Sequence, residues 1–517
     1  MFKQPSRRRF LKTAGTVTAG LAASGLPYYL RPAQAAENQL RFLGAENVTG
    51  NWDPTANTTL ANILIEMQTL DRCLFYPMAA DEPMAVENHI VESMRQINPF
   101  VAEYKIRKGI KFHDGKDCVG DDLKASIEYA TSPGRARAMF PAKSDVTVID
   151  SHTVQVSTEA AKIPINNALT LLHPYLCVMS AADIASKKIE KTINGTGPYK
   201  FVGQEGDSTI LEANPNYFRG APKINRLVFS YVPDATTRLL ALLSGEAEFV
   251  ERLEAEQYQT LRQGGKVNVT KTMSIENKYL HFRCTKKPFD DARVRRAAAH
   301  AIDRSLILEV MGDAGGAVGN IMPRGKVGYS DLDNMPEFDP QKCQELLAAA
   351  GYPKGNGLPE LEYITSTGFY PKTKEYGEVI QAMLQDQGFP VKLTVHEVAA
   401  WNERLYNPAE GHIVDAGWAA TTPEPGIHLN LLWNNPPALI NGLNDDQVKA
   451  AIKAQLLAPD MAQRAKMLET ETYPLLVDKM PSLALFTSVM LHGMSKRLKD
   501  VHIYPDGSFN LLNASLS

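Results

Sequence analysis

The sequence predicts a mixed α/β protein of at least two lobes, and three observations indicate this fold class. Residues 194–250 have the order hairpin, strand, helix, strand, which is typical of an α/β unit built on one sheet. Residues 277–485 alternate helix and strand again. The 517-residue chain is also longer than one hydrophobic core usually fills, so we expect each alternating stretch to form its own lobe.

The first α/β unit begins at a turn that contains Gly195, Gly197 and Pro198. Both glycines can adopt positive φ and the proline fixes φ, so the chain is expected to change direction before Tyr199. Three segments with alternating apolar residues follow, separated by polar turn residues. They predict strands over 199–202, 209–213 and 226–232.

A helix is predicted after these strands, with Asp234 as its N-cap. Its apolar side is expected to consist of Leu239, Leu240, Leu242 and Leu243. Gly245 ends the helix, and residues 248–250 begin the next strand.

The first 35 residues have the pattern of a twin-arginine export signal. The motif SRRRFLK at 6–12 contains Arg7 and Arg8, a mildly apolar region follows over 14–30, and Ala33-Gln34-Ala35 is an A-x-A cleavage site. We therefore expect residues 1–35 to be removed after export. No cysteine lies near the cut, which argues against a lipoprotein anchor, and the predicted location is the periplasm.

Charge and cysteine content exclude several classes of protein. Without the six basic residues of 1–35 the chain has 49 Lys and Arg against 58 Asp and Glu, a net charge of −9. This charge gives no electrostatic basis for binding nucleic acid, and no later apolar run is long enough for a transmembrane helix. The five cysteines form no C-x-x-C pair. Because a twin-arginine substrate folds in a reducing compartment, we expect them to be mostly buried small apolar groups.

The chain before residue 194 is predicted to begin with a strand over 40–43 and a helix over 60–68. Residues from about 70 to 188 have the organisation of an inserted subdomain, with strands over 104–107 and 153–156. Asp121 is the expected N-cap of a helix in this subdomain over 121–130.

The chain is predicted to cross between lobes over 267–282 and to cross back over 480–486. Between the two crossings Asp290 is the expected N-cap of one helix, and a second helix runs from Asp339 to Gly351. A third helix is predicted over 376–387, followed by a strand over 391–395.

Four blocks of sequence, in one order along the chain, resemble the family 5 solute-binding proteins of ABC importers. These are extracytoplasmic proteins that bind dipeptides, oligopeptides, nickel or opines. The blocks are YKIRKGIKFHDGKDCVGDDLKASIEY at 104–129, the stretch from GTGPYKF to PDATTRLLALLSGEAEF at 195–249, KPFDDARVRRAAAHAID at 287–303 and FDPQKCQELLAAAGYP at 338–353. The resemblance covers nearly all of the chain after the leader.

The resemblance implies a two-lobe periplasmic-binding-protein fold of type II, with an extra subdomain inserted in the first lobe. The implied divisions are a signal peptide over 1–35, lobe I over 36–275 with its inserted subdomain at about 70–188, lobe II over 276–485, and a return to lobe I over 486–517. The implied protein is a monomeric receptor, not an enzyme, and needs no cofactor or metal. It would capture a small organic solute, peptide-like or opine-like, and deliver it to a membrane permease with its ATPase.

Two other classes of function stay open. A secreted hydrolase would need a nucleophile and a base, and the sequence has neither a G-x-S-x-G elbow nor an H-E-x-x-H motif. A periplasmic chaperone or sensor partner could use the same fold, and binding of unfolded protein would distinguish it.

The predicted ligand site lies at the end of a buried strand, Val414–Trp418. The family places a tryptophan at its ligand site, and Trp418 would supply a rigid apolar wall with one N–H donor. Gly417 precedes it. Asp415 could give the ligand a carboxylate or could form an ion pair inside the lobe, and the sequence does not decide between these.

Thr421 occupies the position at which peptide-binding members of the family commonly carry an aspartate for the α-ammonium of the ligand. Threonine offers a hydroxyl but no charge, so we expect unmodified di- and tripeptides to bind weakly. Modified peptides, opine-like conjugates, sugars or chelates that stack on Trp418 would bind more tightly.

The resemblance adds four candidate residues. Trp401 would be a second aromatic wall or a core anchor. Asn57 and Thr58 lie where the family has ligand-facing backbone, and Phe486 lies at the second crossing.

Overall fold

The computed structural model describes residues 38–57, 59–75, 87–132, 145–165, 176–331, 334–367, 369–419, 423–434 and 438–517. The predicted signal segment 1–35 lies outside these residues, and so do Thr58 and Thr421. Within the described ranges no helix combines the length and the apolar character that a membrane crossing requires.

Strands and helices alternate along most of the chain, which confirms the α/β class. The described strands are β1 (Gln39–Gly44), β2 (Leu74–Phe75), β3 (Glu87–Asn88), β4 (Val91–Asn98), β5 (Val101–Ile106), β6 (Asp145–Asp150), β7 (Thr153–Ser157), β8 (Tyr199–Glu205), β9 (Ser208–Ala213), β10 (Arg226–Tyr231), β11 (Phe249–Val250), β12 (Asn268–Phe282), β13 (Gly315–Gly316), β14 (Leu361–Thr367), β15 (Val391–Glu397), β16 (Ile413–Trp418), β17 (Ser482–Met494), β18 (Leu498–Lys499), β19 (His502–Ile503), β20 (Phe509–Asn510) and β21 (Ser515–Leu516).

The described α-helices are α1 (Leu60–Thr69), α2 (Gly120–Ala130), α3 (Ala181–Ala185), α4 (Ala235–Ser244), α5 (Ala255–Gly264), α6 (Ala292–His300), α7 (Arg304–Met311), α8 (Pro340–Ala349), α9 (Thr373–Asp386), α10 (Val398–Leu405), α11 (Gly426–His428), α12 (Asp446–Leu456), α13 (Met461–Met467) and α14 (Tyr473–Lys479). Turns of π-helix follow α11 at Leu429–Asn434 and α13 at Leu468–Thr472.

One mixed sheet of 11 strands runs through both lobes, in the order β15-β14-β16-β12-β17-β11-β1-β10-β9-β8, with β13 paired to β17. The long strands β12 and β17 are antiparallel and lie at its centre. Residues 277–282 of β12 pair with β16 of lobe II, whereas residues 493 and 494 of β17 pair with β11 of lobe I. These two strands therefore carry the chain between the lobes, near both predicted crossings.

The subdomain predicted between about 70 and 188 contains a separate antiparallel sheet with the order β4-β5-β7-β6. A hydrophobic cluster of its own, which runs from Cys73 to Val178, fills the space between this sheet and α2. The residue limits of the lobes and of the subdomain stay predictions.

Two predicted N-caps are wrong by one residue or more. Asp121 is exposed in the first turn of α2, and Val119 is the N-cap. The neighbouring Asp122 carboxylate accepts the N–H of Val119 at 3.0 Å instead. In α6 the cap is Asp291 rather than Asp290, and its carboxylate accepts the N–H of Arg293 at 2.8 Å.

The predicted cap of α4 is confirmed, because Asp234 accepts the N–H of Thr237 at 2.7 Å. The predicted apolar side is confirmed for Leu242, which is buried, and for Leu239, which packs against the core, and it is wrong for Leu240 and Leu243, which are 60% and 46% exposed. The helix also buries Arg238 and Ala241, which were not predicted. The Arg238 guanidinium donates to the backbone carbonyls of Val232, Pro233, Glu251 and Arg252, and this pairing lets an arginine occupy the inner face.

Gly195 and Gly197 are required for a reason other than the predicted positive φ, which neither residue adopts. A Cβ at Gly195 would lie 1.9 Å from the carbonyl oxygen of Thr69, and one at Gly197 would lie 2.5 Å from the Thr69 carbonyl carbon. The Gly197 N–H donates to that same carbonyl oxygen at 3.0 Å. The turn before β8 is thus fixed against the C-terminal end of α1.

We expect Gly197→Ala to lower the free energy of unfolding by about 1–3 kcal/mol, because its Cβ would push two backbone segments apart. Gly264→Ala is the matched control, since a Cβ there meets nothing within 4 Å. Urea denaturation of both variants is the measurement. Equal stability of the two variants would contradict the close backbone approach.

Candidate functional site

The pairing of the two crossing strands is irregular at two nearby places, between Met273 and Asn277 and between Lys278 and Tyr279. Met273 of β12 pairs with Val489 of β17 and the next pair is Asn277 with Thr487, so residues 274–276 stand opposite a single residue. The Ile275 N–H donates to the carbonyl of Pro505 at 3.0 Å. Pairing resumes at Asn277, whose side-chain oxygen accepts the Thr487 hydroxyl at 2.9 Å, and the register shifts again after Lys278. This bulge is the place where the sheet passes between the lobes.

Five charged residues surround the bulge, and we call them the charged row: Glu46, Arg252, Glu276, Lys278 and Asp415. Glu46 and Arg252 follow the lobe I strands β1 and β11 and form an ion pair. Lys278 of β12 and Asp415 of β16 form a second, fully buried pair, with Nζ 3.4 Å from Oδ2. Glu276 lies between them, and both Lys278 and Arg252 favour its ionised form. The row joins the two lobes.

Lys278 lies in a rigid setting made by lobe II. Its ammonium is 3.2 Å from the centroid of the Tyr370 ring, a cation–π geometry. Burial lowers the pKa of Lys278 to about 8, against the opposing effect of Asp415. The Tyr370 hydroxyl accepts the Gly417 N–H at 3.1 Å and lies 3.3 Å from the Gly417 carbonyl oxygen, which fixes the ring on β16.

Glu276 is part-buried, and its carboxylate lies against Gly417. A Cβ at Gly417 would be 1.8 Å from Glu276 Oε1, so a larger residue there would displace the carboxylate. Burial raises the pKa of Glu276, although Lys278 and Arg252 act in the opposite direction. Gly417 therefore serves the site by leaving room for a neighbouring acid.

Trp418 ends β16 and is opposite Asn277 of β12 in the register, one residue from Glu276. The indole is part-buried, and its Nε1–H has no hydrogen-bond partner among the described residues. The Trp418 carbonyl oxygen is 3.3 Å from Nε2 of the buried His428. The register places the Trp418 side chain on the face of β16 opposite Gly417 and Lys278, so the indole and the charged row lie on different faces of the sheet at this junction. The binding role of Trp418 stays a prediction.

Two roles were left open for Asp415, a carboxylate for the ligand or an ion pair inside the lobe, and the structure shows the ion pair. Its side chain is fully buried, pairs with Lys278 and accepts the hydroxyl of Tyr376. Glu424, another acid close in sequence, forms a buried bidentate pair with Arg464 at 2.6 and 2.7 Å. Both carboxylates are thus held inside lobe II, and a contact between Asp415 and a ligand stays untested.

Trp401 and Phe486 pack into lobe II. Trp401 is 3% exposed, and its ring centroid lies 5.7 Å from Phe369 and 6.0 Å from Tyr370. It therefore supports the ring that holds Lys278. Phe486 is also 3% exposed and meets Tyr376 edge to face at 5.7 Å.

Asn57 lies in a polar cluster of lobe I, and its side-chain hydrogen bonds go to other members of that cluster. Its amide donates to the Asn51 carbonyl and to Glu66 Oε1, both at 2.9 Å, and its oxygen accepts the Thr49 hydroxyl at 2.9 Å. Burial raises the pKa of Glu66 to about 7, and the bond from Asn57 partly offsets this effect. The structure does not bring Asn57 together with Trp418.

The sequence reasoning missed Glu276, Lys278 and Tyr370. Glu276 and Lys278 could have been found from the sequence. They flank Asn277, and the alternation of a strand places both side chains on the same face as the apolar Leu280. Tyr370 has no such signal, since only the fold brings it to Gly417.

No group of His, Cys, Asp and Glu in the described ranges has an arrangement that could hold a metal ion. The five cysteines are free and four of them are buried, which confirms their prediction as mostly buried apolar groups.

Residues 86–438 match the family described as bacterial extracellular solute-binding proteins, family 5 middle. The glutathione-binding protein GsiB of Escherichia coli O6:K15:H31 (strain 536 / UPEC) is 27% identical over 525 residues, which cover 96% of this chain and 98% of GsiB.

Two solved structures have the same fold. The dipeptide binding protein of Pseudoalteromonas sp. SM9913 in complex with Met-Leu has a TM-score of 0.77 and 21% identity, over 93% of this chain and 100% of that one. MoaA of A. tumefacien R10 in complex with mannopinic acid has a TM-score of 0.77 and 23% identity, with the same coverage of 93% and 100%. These similarities confirm the type II periplasmic-binding-protein fold. The chain belongs to family 5 of the bacterial extracellular solute-binding proteins.

Proposed function

We propose that this protein is the periplasmic substrate-binding component of an ABC importer. It is exported by the twin-arginine route, works as a monomer, captures a small organic solute and delivers it to a permease with its ATPase. The observation that carries the proposal is the position of the charged row and Trp418, at the bulge where β12 passes between the lobes. A solute bound there touches both lobes only when they are closed, so its binding favours closure.

A peptide-like or opine-like solute fits this position best. The relatives and neighbours reported above are named for glutathione, Met-Leu and mannopinic acid. The charged row contains groups of both signs, which suits a solute that is itself charged, and Trp418 supplies an aromatic face.

Ser–His pairs in the described ranges bear on the alternative of a secreted hydrolase. One joins Ser151 Oγ to Nδ1 of its sequence neighbour His152 at 2.8 Å, in an exposed setting. Ser482 Oγ is 2.8 Å from Nδ1 of His281, but both side chains are fully buried between the crossing strands. The Ser482 hydroxyl also accepts the indole N–H of Trp433 at 3.1 Å. Burial lowers the pKa of His281 to about 3. Because no substrate can reach the buried Ser482–His281 pair, we assign it a structural role.

Trp418→Ala should remove most of the affinity for the solute that co-purifies from the periplasm. Loss of a central aromatic contact costs about 2 kcal/mol or more, roughly thirtyfold in Kd. Trp418→Phe is the matched control, because it keeps the aromatic face and removes only the N–H donor. Native mass spectrometry identifies the solute, and calorimetry with that solute gives the affinities. Unchanged affinity in Trp418→Ala would assign the residue to core packing.

Closure of the lobes should be visible in solution. We compare protein purified with its solute to protein that has been unfolded in guanidinium, freed of solute and refolded. X-ray scattering should give a smaller radius of gyration for the loaded form, and its melting temperature should be higher by mass action. A tightly bound solute that alters neither quantity would argue against closure.

Replacing Arg7 and Arg8 together by lysine should leave the precursor in the cytoplasm, since the twin-arginine pattern depends on this pair. Cell fractionation and immunoblotting measure the distribution, and replacement of Lys12 by arginine serves as a control. Normal periplasmic yield from the double variant would point to the general secretion route instead.

A further inference from the structure

A second set of polar side chains links the two lobes away from the bulge of β12. The Glu256 carboxylate, in the first turn of α5, accepts the Lys372 ammonium at 2.9 Å. The Asp313 carboxylate, just after α7, accepts the Lys271 ammonium at 2.7 Å and also the side-chain amide of Gln259. By the predicted divisions Glu256, Gln259 and Lys271 belong to lobe I, whereas Asp313 and Lys372 belong to lobe II. We call these residues the interlobe cluster.

Lys372 is held in place by lobe II. Its ammonium also donates to the Val310 carbonyl of α7 at 3.0 Å, and its side chain is part-buried. The residue is the N-cap of α9 and has a φ of +55°, a left-handed conformation that residues other than glycine rarely adopt. Such conformations persist where the surrounding structure determines them, often at functional positions. Lobe II therefore presents Lys372 in a fixed position, and the exposed Glu256 reaches it from lobe I.

The carboxylates of the cluster are ionised in these contacts. The hydrogen bond from Lys372 lowers the pKa of Glu256, and the hydrogen bond from Lys271 lowers the pKa of Asp313. Each contact therefore joins opposite charges that belong to different lobes. Because the attraction between two charges weakens as they separate, both contacts depend on the orientation of the lobes.

The ion pair of Glu256 with Lys372 lies at the edges of the lobes that border the proposed solute site. In lobe II the strands β14 and β16 are parallel, so their carboxyl ends meet at one edge, where Trp418 ends β16 and Lys372 follows β14. In lobe I the strands β1 and β11 are parallel, and Glu256 follows the carboxyl end of β11. Ligands of open α/β sheets bind in the crevice outside the carboxyl ends of the strands. The pair therefore spans this crevice.

We infer that the interlobe cluster holds the lobes closed around the solute and slows its release, without touching it. This inference rests on the proposed function. Opening of the lobes separates the members of the cluster, because the partners in each contact lie on different lobes. Interactions that exist only in the closed form raise the affinity for whatever selects that form. Because they form after the solute has entered, they lower its dissociation rate and leave its association rate unchanged.

A purely structural role of the cluster makes a different prediction. If the contacts only stabilised the fold, their loss would lower the melting temperature of solute-free protein. Ion pairs at exposed positions contribute little to folding stability. We therefore expect substitutions in the cluster to leave that melting temperature nearly unchanged while they alter the release of solute.

The experiment measures association and dissociation rates for glutathione and for Met-Leu by stopped-flow tryptophan fluorescence on the mature full chain. Solute retained from the periplasm is followed in parallel by native mass spectrometry after dilution. Glu256→Gln and Asp313→Asn should each release bound solute about threefold faster than wild type, with unchanged association. Glu256→Gln combined with Lys372→Gln should release it no faster than Lys372→Gln alone, because the contact is already broken. Glu378→Gln is the matched control, since it removes the same charge from a pair with Lys374 inside α9.

Three results would overturn the inference. One is release from Glu256→Gln and Asp313→Asn at the wild-type rate, and another is slower association with unchanged release. The third is a fall in the melting temperature of the solute-free variants that accounts for the faster release, which would assign the cluster to folding stability. All three leave the proposed function intact. A wild-type protein that retains no solute and binds neither probe would instead count against the proposed function, and the inference would fail with it.

Discussion

The antiparallel pairing of β12 with β17 is the interaction on which the rest of this structure depends. The two strands pair along most of their length and connect the strands of lobe I to those of lobe II within one sheet. The register shifts twice between Met273 and Tyr279, and regular pairing on either side connects this short segment to each lobe. We therefore expect a change of lobe orientation to occur within this segment, where the proposed solute site also lies.

Charged groups at this junction are stabilised by pairing rather than by solvent. Lys278 and Asp415 are both fully buried, and removing one partner of such a pair typically costs about 3–5 kcal/mol because the other charge is left alone. Tyr370, supported by Trp401, holds the ammonium from the other side. Lobe II thus presents a fixed surface at the junction. Glu276 is the member of the charged row that belongs to neither ion pair.

Much of the fold could be predicted from local signals, and the errors have identifiable causes. The crossing between lobes was predicted over 267–282, and β12 spans Asn268–Phe282. Helix caps were misassigned where two aspartates are adjacent, as at 121 and 122, because either could reach the first turn. At the site, Trp418 and Gly417 lie beside the junction, yet Glu276 was missed. Its place in the charged row depends on how the neighbouring charges pair, and that is set by residues as distant in sequence as Glu46 and Asp415.

The central claim is that the solute binds at the bulge of β12, between the lobes. A crystal structure of the protein purified with its own solute tests this most directly. We predict a solute that lies against Trp418 and contacts residues of both lobes. A solute enclosed within a single lobe, or one remote from Trp418, would contradict it.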